Sequence, residues 1–226
     1  SLYRGNSKYI VQDTNKILTK ANQAIQTLEK YKSVLDQATI NLSALEFEDL
    51  VTVYDVVTVI QRTEMVLKIV REIEKYIYEL GSEGRLVSMQ MEELVDNVIQ
   101  DGKYVLMDYN INPEAEDDEI QEMLHELSSE ELLDLSLISK ILGHGSDVNA
   151  LDITVSTKGY RILNKIPRLP LAIIENLLEE FPNFQKILKA STEQLDDVEG
   201  IGEVRARAIK DGLRRLQGQV LLDRHI

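Results

Sequence analysis

Between Thr14 and Leu80 the apolar residues keep to helical steps, and that periodicity constrains the fold more than any other feature. Leu18, Ala21, Ile25, Leu28, Leu35 and Leu42 fall at three- and four-residue steps or their sums, with Lys32 filling one slot. They make the stripe of a long amphipathic helix, predicted over residues 14–42. Val53, Val56, Ile60, Leu67, Val70, Ile73, Ile77 and Leu80 make a second stripe and predict a helix over 52–80. The segment "VTVYDVVTVI" within it has strong β-propensity. Length decides for helix, because the period continues to Leu80, far beyond a typical strand. Gly81 is a natural residue to end that helix. Ser88 is placed to cap a third helix, predicted over 88–100 and carrying Met91, Leu94, Val95 and Val98. Three such helices with short joints make an antiparallel bundle, or a spine whose exposed stripe packs on another chain.

The flanks read differently. Residues 1–13 look extended, with Leu2, Tyr3, Tyr9, Ile10 and Val11 around the turn-like "RGNS". One hairpin does not stand alone. Together with the missing initiator Met, it is expected to be the tail of a β-containing domain outside this sequence. Residues 112–143 are acidic and helical, with Pro113 suited to a first helical turn and acids complementing the helix dipole. Ser128 with Glu131 predicts a capping box. Residues 143–157, "GHGSDVNALDITVST", read as a loop or linker.

Composition excludes several classes. The chain has 226 residues and 43% hydrophobic content, enough for one large or two modest packed domains. It has no cysteine, which excludes disulfides and thiolate nucleophiles and fits a reducing cytoplasm. No apolar run reaches about 18 residues, so no membrane span is expected. His125, His144 and His225 lack metal-ligand spacing. The acidic run Glu114–Glu119 is a solvated helix start. No Ser-His-Asp arrangement is evident, nor a phosphate-cradling loop followed by metal carboxylates. The chain is therefore expected to carry no catalytic residues and to need no cofactor of its own.

Charge is spread unevenly. The formal net charge is -14. Residues 159–226 hold 11 Lys and Arg against 10 Asp and Glu, whereas residues 1–158 hold 14 against 29. An acidic body repels phosphate backbones, so nucleic acid should meet residues 159–226.

That region contains a repeat. "LNKIPRLPLAIIENL" (163–177) can be laid over "LDDVEGIGEVRARAI" (195–209) at an offset of 32. Leu163 matches Leu195, Ile166 matches Val198, Ile174 matches Ala206 and Leu177 matches Ile209. Each copy reads as a short helix, a tight turn with a buried apolar residue, and a second helix. Such units can bury each other's apolar faces. In the second copy, Ser191 with Gln194 makes a capping box. Gly200 and Gly202 permit positive φ and expose backbone N–H groups. Ile201 plugs the turn into the core, and Ala206 allows close helix approach. The helix starting near Glu203, with Val204 in its first turn, aims its free N–H groups at the same spot, a ready phosphate site. Arg205, Arg207, Lys210, Arg214 and Arg215 add charge, with Arg205 and Arg207 the first choices for contact. The first copy has Pro167 and Pro170 where glycines would sit. Proline lacks an N–H, so that hairpin is expected to be a packing partner, with Arg168 at its tip still able to reach a phosphate. No aromatic platform or major-groove helix is evident, so binding should follow the backbone and fall with salt.

"LxxVxGIGxxxAxxI" at 195–209 resembles the helix-hairpin-helix signature of DNA-binding proteins. More narrowly, "ILTKANQAIQTLEKYKSVLD", "LEFEDLVTVYDV", "GRLVSMQMEEL", "GYRILNKIPRLP" and "VEGIGEVRARAIKDGLRRLQ" are similar to the linker and C-terminal regions of the DisA family. The resemblance covers nearly the whole chain. It implies a mainly α fold: a residual tail of a cyclase domain (1–13), a helical linker or spine (14–112), an acidic helical segment and loop (113–158), and a tandem helix-hairpin-helix domain (159–226) similar to RuvA domain 2. It also implies a diadenylate cyclase that makes cyclic di-AMP from two ATP with Mg or Mn in a domain whose DGA and RHR motifs do not occur here. It implies a cytoplasmic octamer, with branched or duplex DNA bound through phosphates at Gly200, Ile201, Gly202, Val204, Arg205, Arg207, Lys210, Arg214 and Arg168. The rival reading is a structural spine module with little DNA binding of its own.

Overall fold

The computed structural model describes residues 2–225, with side-chain surroundings from Asp13 to His225. Among the described residues eleven α-helices follow one another: α1 (Leu2–Glu48), α2 (Val53–Leu80), α3 (Arg85–Leu94), α4 (Val98–Tyr109), α5 (Asp117–Glu126), α6 (Leu135–Ile141), α7 (Tyr160–Leu163), α8 (Leu171–Glu180), α9 (Phe184–Lys189), α10 (Thr192–Asp196) and α11 (Glu203–Arg224). Among the described residues the only β pairing is an isolated bridge between Thr52 and Thr154. No described helix is long and apolar enough to cross a membrane.

Several expectations need correction. Residues 2–13 are not extended but continue α1. A helix is costly to nucleate and cheap to extend, so a long amphipathic stripe propagates through "RGNS" despite Gly5. Ser88 caps nothing, since α3 already begins at Arg85 after the 3-10 turn Gly81–Gly84. The helix expected over 88–100 is also not continuous: it breaks after Leu94, where Asn97 takes φ 69°, a left-handed conformation Asn tolerates. Pro113 lies in a turn before α5, not in its first turn. Gly81 does take positive φ, at 57°. Ser128 and Glu131 do form a reciprocal capping box, but it starts only the 3-10 turn Glu131–Leu133, and Asp134 caps α6.

The chain divides into two compact units: Ser1–Asp36 with Arg62–Ile99, and Gln37–Gln61 with Gln100–Ile226. In the first, Ala21, Ile25 and Leu28 of α1 and Val66, Val70 and Ile73 of α2 are buried, as the helical stripes require. The second unit holds the repeat. Its core gathers Leu163, Ile174, Leu177, Leu195, Ile201, Ala206 and Ile209 from both copies, together with Phe184. Phe47 from the end of α1 belongs to the same core and meets the Phe184 ring edge-on at 5.4 Å.

A buried ionic cluster ties the repeat to the preceding helices of this unit. Arg161 in α7 is 0% exposed. Its Nη2 donates to Ser43 Oγ at 3.0 Å and to Glu46 Oε1, both from α1. Tyr109 O–H donates to Glu46 Oε2 at 2.9 Å. Asp108, at the end of α4, accepts from the N–H groups of Gly159 (3.1 Å), Tyr160 (2.7 Å) and Arg161 (3.3 Å). A carboxylate at the positive end of a helix supplies the cap that α7 lacks. Outside the cluster, Gln185 Nε2 donates to the carbonyls of Glu46 and Phe47, and Arg224 pairs with Glu48 at 2.7 Å. The last turn of α1 is thus fastened to α7, α9 and α11.

The cluster places two buried carboxyls beside one guanidinium. Burial first, and then the Glu46 charge, push the Asp108 carboxyl up from an ordinary 3.8 to about 7, against the opposing pull of Arg161 and the N–H donors. An acid whose folded value exceeds its unfolded value binds more protons when folded, so stability falls as pH rises between 3.8 and about 7. The melting temperature should therefore drop between about pH 4 and pH 7, and Asp108→Asn should flatten that drop. A calorimetric pH series on both proteins measures it; equal slopes would remove Asp108 as the cause.

Candidate nucleic-acid interface

The apolar positions of the two copies match in burial. Leu163 and Leu195, Ile166 and Val198, Leu169 and Ile201, Ile174 and Ala206, and Leu177 and Ile209 are all buried. The backbone repeats as well. Gly200 has φ 83°, and its counterpart Arg168 has φ 62°. Gly202 (φ -95°, ψ -179°) and Pro170 (φ -66°, ψ 152°) both precede a helix in extended conformation.

This changes the reading of the turns. Gly202 does not use positive φ; only Gly200 does. The prolines do not both replace glycines either: Pro170 stands for Gly202, Pro167 for Glu199, and Arg168 occupies the left-handed position. Proline fits at 170 because the backbone there already lies near proline's fixed φ. Arg168 accepts a left-handed conformation that costs a non-glycine residue roughly 1–2 kcal/mol.

The glycines have separate physical reasons. A Cβ on Gly200 would lie 2.5 Å from Ile173 Cδ1 of α8, at a φ that L side chains rarely adopt. A Cβ on Gly202 would meet nothing within 4 Å. The fold therefore requires glycine at 200 but not at 202. A third glycine, Gly212, brings α11 against the first hairpin, where a Cβ would lie 3.1 Å from Ile166 Cγ2.

Both turns open on one groove of 460 Å³. Ile166, Pro167, Arg168 and Leu169 line one side, and Gly200, Gly202, Val204, Arg205 and Ala208 the other. Val204 is 84% exposed in the first turn of α11. No side chain caps α11 at Gly202 or α8 at Pro170, whereas Ser191 caps α10 through a full capping box. The first N–H groups of α11 have no intrahelical acceptor, and the first α-helical bond runs from Ala206 N–H to Gly202 O at 2.9 Å. Two guanidinium-bearing residues and a helix N-terminus thus border one open, partly apolar groove.

The predicted site residues do not all gather there. Gly200, Gly202, Val204, Arg205 and Arg168 line the groove, and Ile201 is the buried plug beneath it. Arg205 also braces the turn, donating from Nη1 to Gly200 O at 2.8 Å. Arg207 lies two residues further round the helix and pairs with Glu203 at 2.5 Å. Lys210 Nζ donates to Leu188 O at 3.2 Å, near the end of α9. Arg214 is 3.8 Å from Asp211. Residues two apart on a helix face different ways, which separates Arg205 from Arg207. Sequence reasoning missed Asn176 of α8, whose Nδ2 donates to Glu199 O at 2.9 Å. Its only signal was an amide in the apolar run "LAIIENLL".

The chain matches two family models: one described as the DisA bacterial checkpoint controller linker region, over residues 11–151, and one as the helix-hairpin-helix motif, over 183–212. It is 57% identical over 229 residues to the DNA integrity scanning protein DisA of Clostridioides difficile, an alignment covering 100% of this chain and 63% of that relative. It is 56% identical over 220 residues to the protein of that name from Carboxydothermus hydrogenoformans (97% and 62% covered). For the one from Acetivibrio thermocellus it is 53% identical over 223 residues (99% and 62% covered). The chain thus spans somewhat less than two thirds of these relatives' length. The first hairpin, with Arg168, lies outside the helix-hairpin-helix match.

The glycines give a separable pair of outcomes. Gly200→Ala should lower stability by about 1–3 kcal/mol, through strain at positive φ and the clash with Ile173. Gly202→Ala should leave stability within about 0.5 kcal/mol of the parent. Urea denaturation of both variants measures the difference; equal losses would mean that the turn geometry is assigned wrongly.

Proposed function

The chain belongs to the DisA family, and from that premise we propose that its tandem hairpins bind the phosphate backbone of DNA without reading sequence. The open space over Gly202, at the uncapped start of α11, carries this reading. Nothing inside the protein needs a glycine there, and a missing side chain lets a phosphate approach backbone N–H groups closely. Arg168 and Arg205 flank the spot with charge. Placing one arginine on each hairpin suits two backbone strands, and branched or junction DNA supplies strands at angles that a single duplex does not. The relatives' name, DNA integrity scanning protein, agrees with this use.

The diadenylate cyclase activity that the resemblance implies belongs, in this reading, to the portion of the relatives that this chain does not span. Among the described residues no group of three or more His, Cys, Asp or Glu could hold a metal ion. These residues do not fit the divalent metal of such a cyclase.

One observation favours a second role as an assembly module. Tyr78 near the end of α2 is 89% exposed, and Leu86 and Met89, three residues apart on α3, are exposed as well. Apolar side chains at that spacing share a helix face. Sedimentation equilibrium should then show association that weakens in Leu86→Glu with Met89→Glu, without change in DNA binding.

The DNA reading is tested by a salt titration of affinity for a labelled four-way junction and a matched duplex. Affinity should fall steeply with salt, and Arg168→Ala with Arg205→Ala should reduce the slope of log K against log salt by about 1–2. Gly202→Ala should weaken binding while leaving stability intact. An unchanged slope in the double variant would falsify the assigned groove.

A further inference from the structure

We infer that Asn176, on the second helix of the first hairpin, is a positioning residue for the DNA-facing turn of the second hairpin; this rests on the DNA reading above. Two successive carbonyls of that turn are held from outside it. Glu199 O accepts from Asn176 Nδ2 at 2.9 Å, and Gly200 O accepts from Arg205 Nη1 at 2.8 Å. A trans peptide carries its C=O and N–H in opposite directions. Drawing the Glu199 carbonyl toward α8 therefore turns the Gly200 N–H away from α8. The next peptide is fixed at both ends, because Ile201 N–H donates to Val198 O at 3.0 Å. Ile173, one helical turn before Asn176, packs on Gly200 so closely that a Cβ there would lie 2.5 Å from its Cδ1. One face of α8 thus supplies both the donor and the packing surface that hold the turn.

The repeat makes the arrangement one-sided. At the offset of 32, Asn176 corresponds to Ala208, which has no donor, and Ile173 corresponds to Arg205. The second hairpin has no amide at the matching place with which to clamp the first hairpin's turn. The glycine-bearing turn is the one that receives an external clamp. The first hairpin thereby does more than fill the core: its helix sets the direction of backbone groups on its neighbour.

Two measurements test this. Hydrogen–deuterium exchange followed on peptides spanning residues 198–206 should quicken in Asn176→Ala and in Asn176→Asp, which keeps the shape but loses the donor. Asn176→Gln, which keeps an amide, should recover part of the protection. In the junction titration, affinity should fall about fivefold to tenfold for Asn176→Ala with the salt slope unchanged, because no cationic contact to phosphate is removed. Parent-like exchange in both Ala and Asp would overturn the positioning role. So would an affinity loss in Asn176→Ala that persists in Asn176→Gln after exchange protection has recovered, since Asn176 would then act on DNA directly. If the parent binds neither DNA, the DNA reading fails, and the exchange measurement still decides whether Asn176 holds the turn.

Discussion

The second unit depends on one buried guanidinium. Arg161 sits without solvent among Glu46, Asp108, Tyr109 and Ser43, and a lone charge in that position would cost several kcal/mol. Its partners come from two distant stretches, the ends of α1 and α4, so the cluster forms only when those ends and the start of α7 meet in one arrangement. Two buried nitrogens of Arg161, Nε and Nη1, have no acceptor. Unmet donors make such a cluster a poor source of net stability. Its contribution is geometric: it sets where the first hairpin starts, and the shared core then sets where the second hairpin lies.

From that start the repeat builds a near-symmetric pair with unequal turns. The apolar positions match in burial at every pair compared, because both copies face one shared core that also holds Phe47, Phe184 and Ile187. The differences collect at the surface. One turn has glycine in the left-handed position and open space before its helix; the other has an arginine and a proline. The repeat region is close to neutral within an acidic chain, and two of its arginines, Arg168 and Arg205, lie on the groove. Several of the other cations are occupied: Arg207 with Glu203, Lys210 with a carbonyl, and Arg224 with Glu48.

What could be read from the chain alone divides along physical lines. The long helices were legible because apolar periodicity is local and repeated many times between Leu18 and Leu80. The hairpin core was legible because Leu195, Val198, Ile201, Ala206 and Ile209 carry a tight spacing. The start of α1 was not, since turn-like residues there are overruled by cooperative extension of the helix. The helix break near Asn97 was not expected, because the apolar steps through Leu94, Val95 and Val98 run across it, and Ser88, a good capping residue, lies inside α3. The Arg161 cluster left no trace, as its members are 115 residues apart in the case of Glu46, and each looks like an ordinary surface charge in its own window. Asn176 was missed for the same reason. The left-handed Arg168 was obscured by the prolines on either side, which drew the comparison to themselves.

Arg168 also sets stability against recognition within a single residue. The left-handed backbone there is a conformation glycine takes freely, and the sister turn uses glycine for it. The first turn instead carries the longest cationic side chain available, displayed from a strained peptide at the mouth of the groove. A relaxed backbone at this place would have no charge, and a charge at this place requires an unrelaxed backbone. The two hairpins are in this sense complementary compromises: one presents its bare main chain, and the other strains its main chain to extend a side chain.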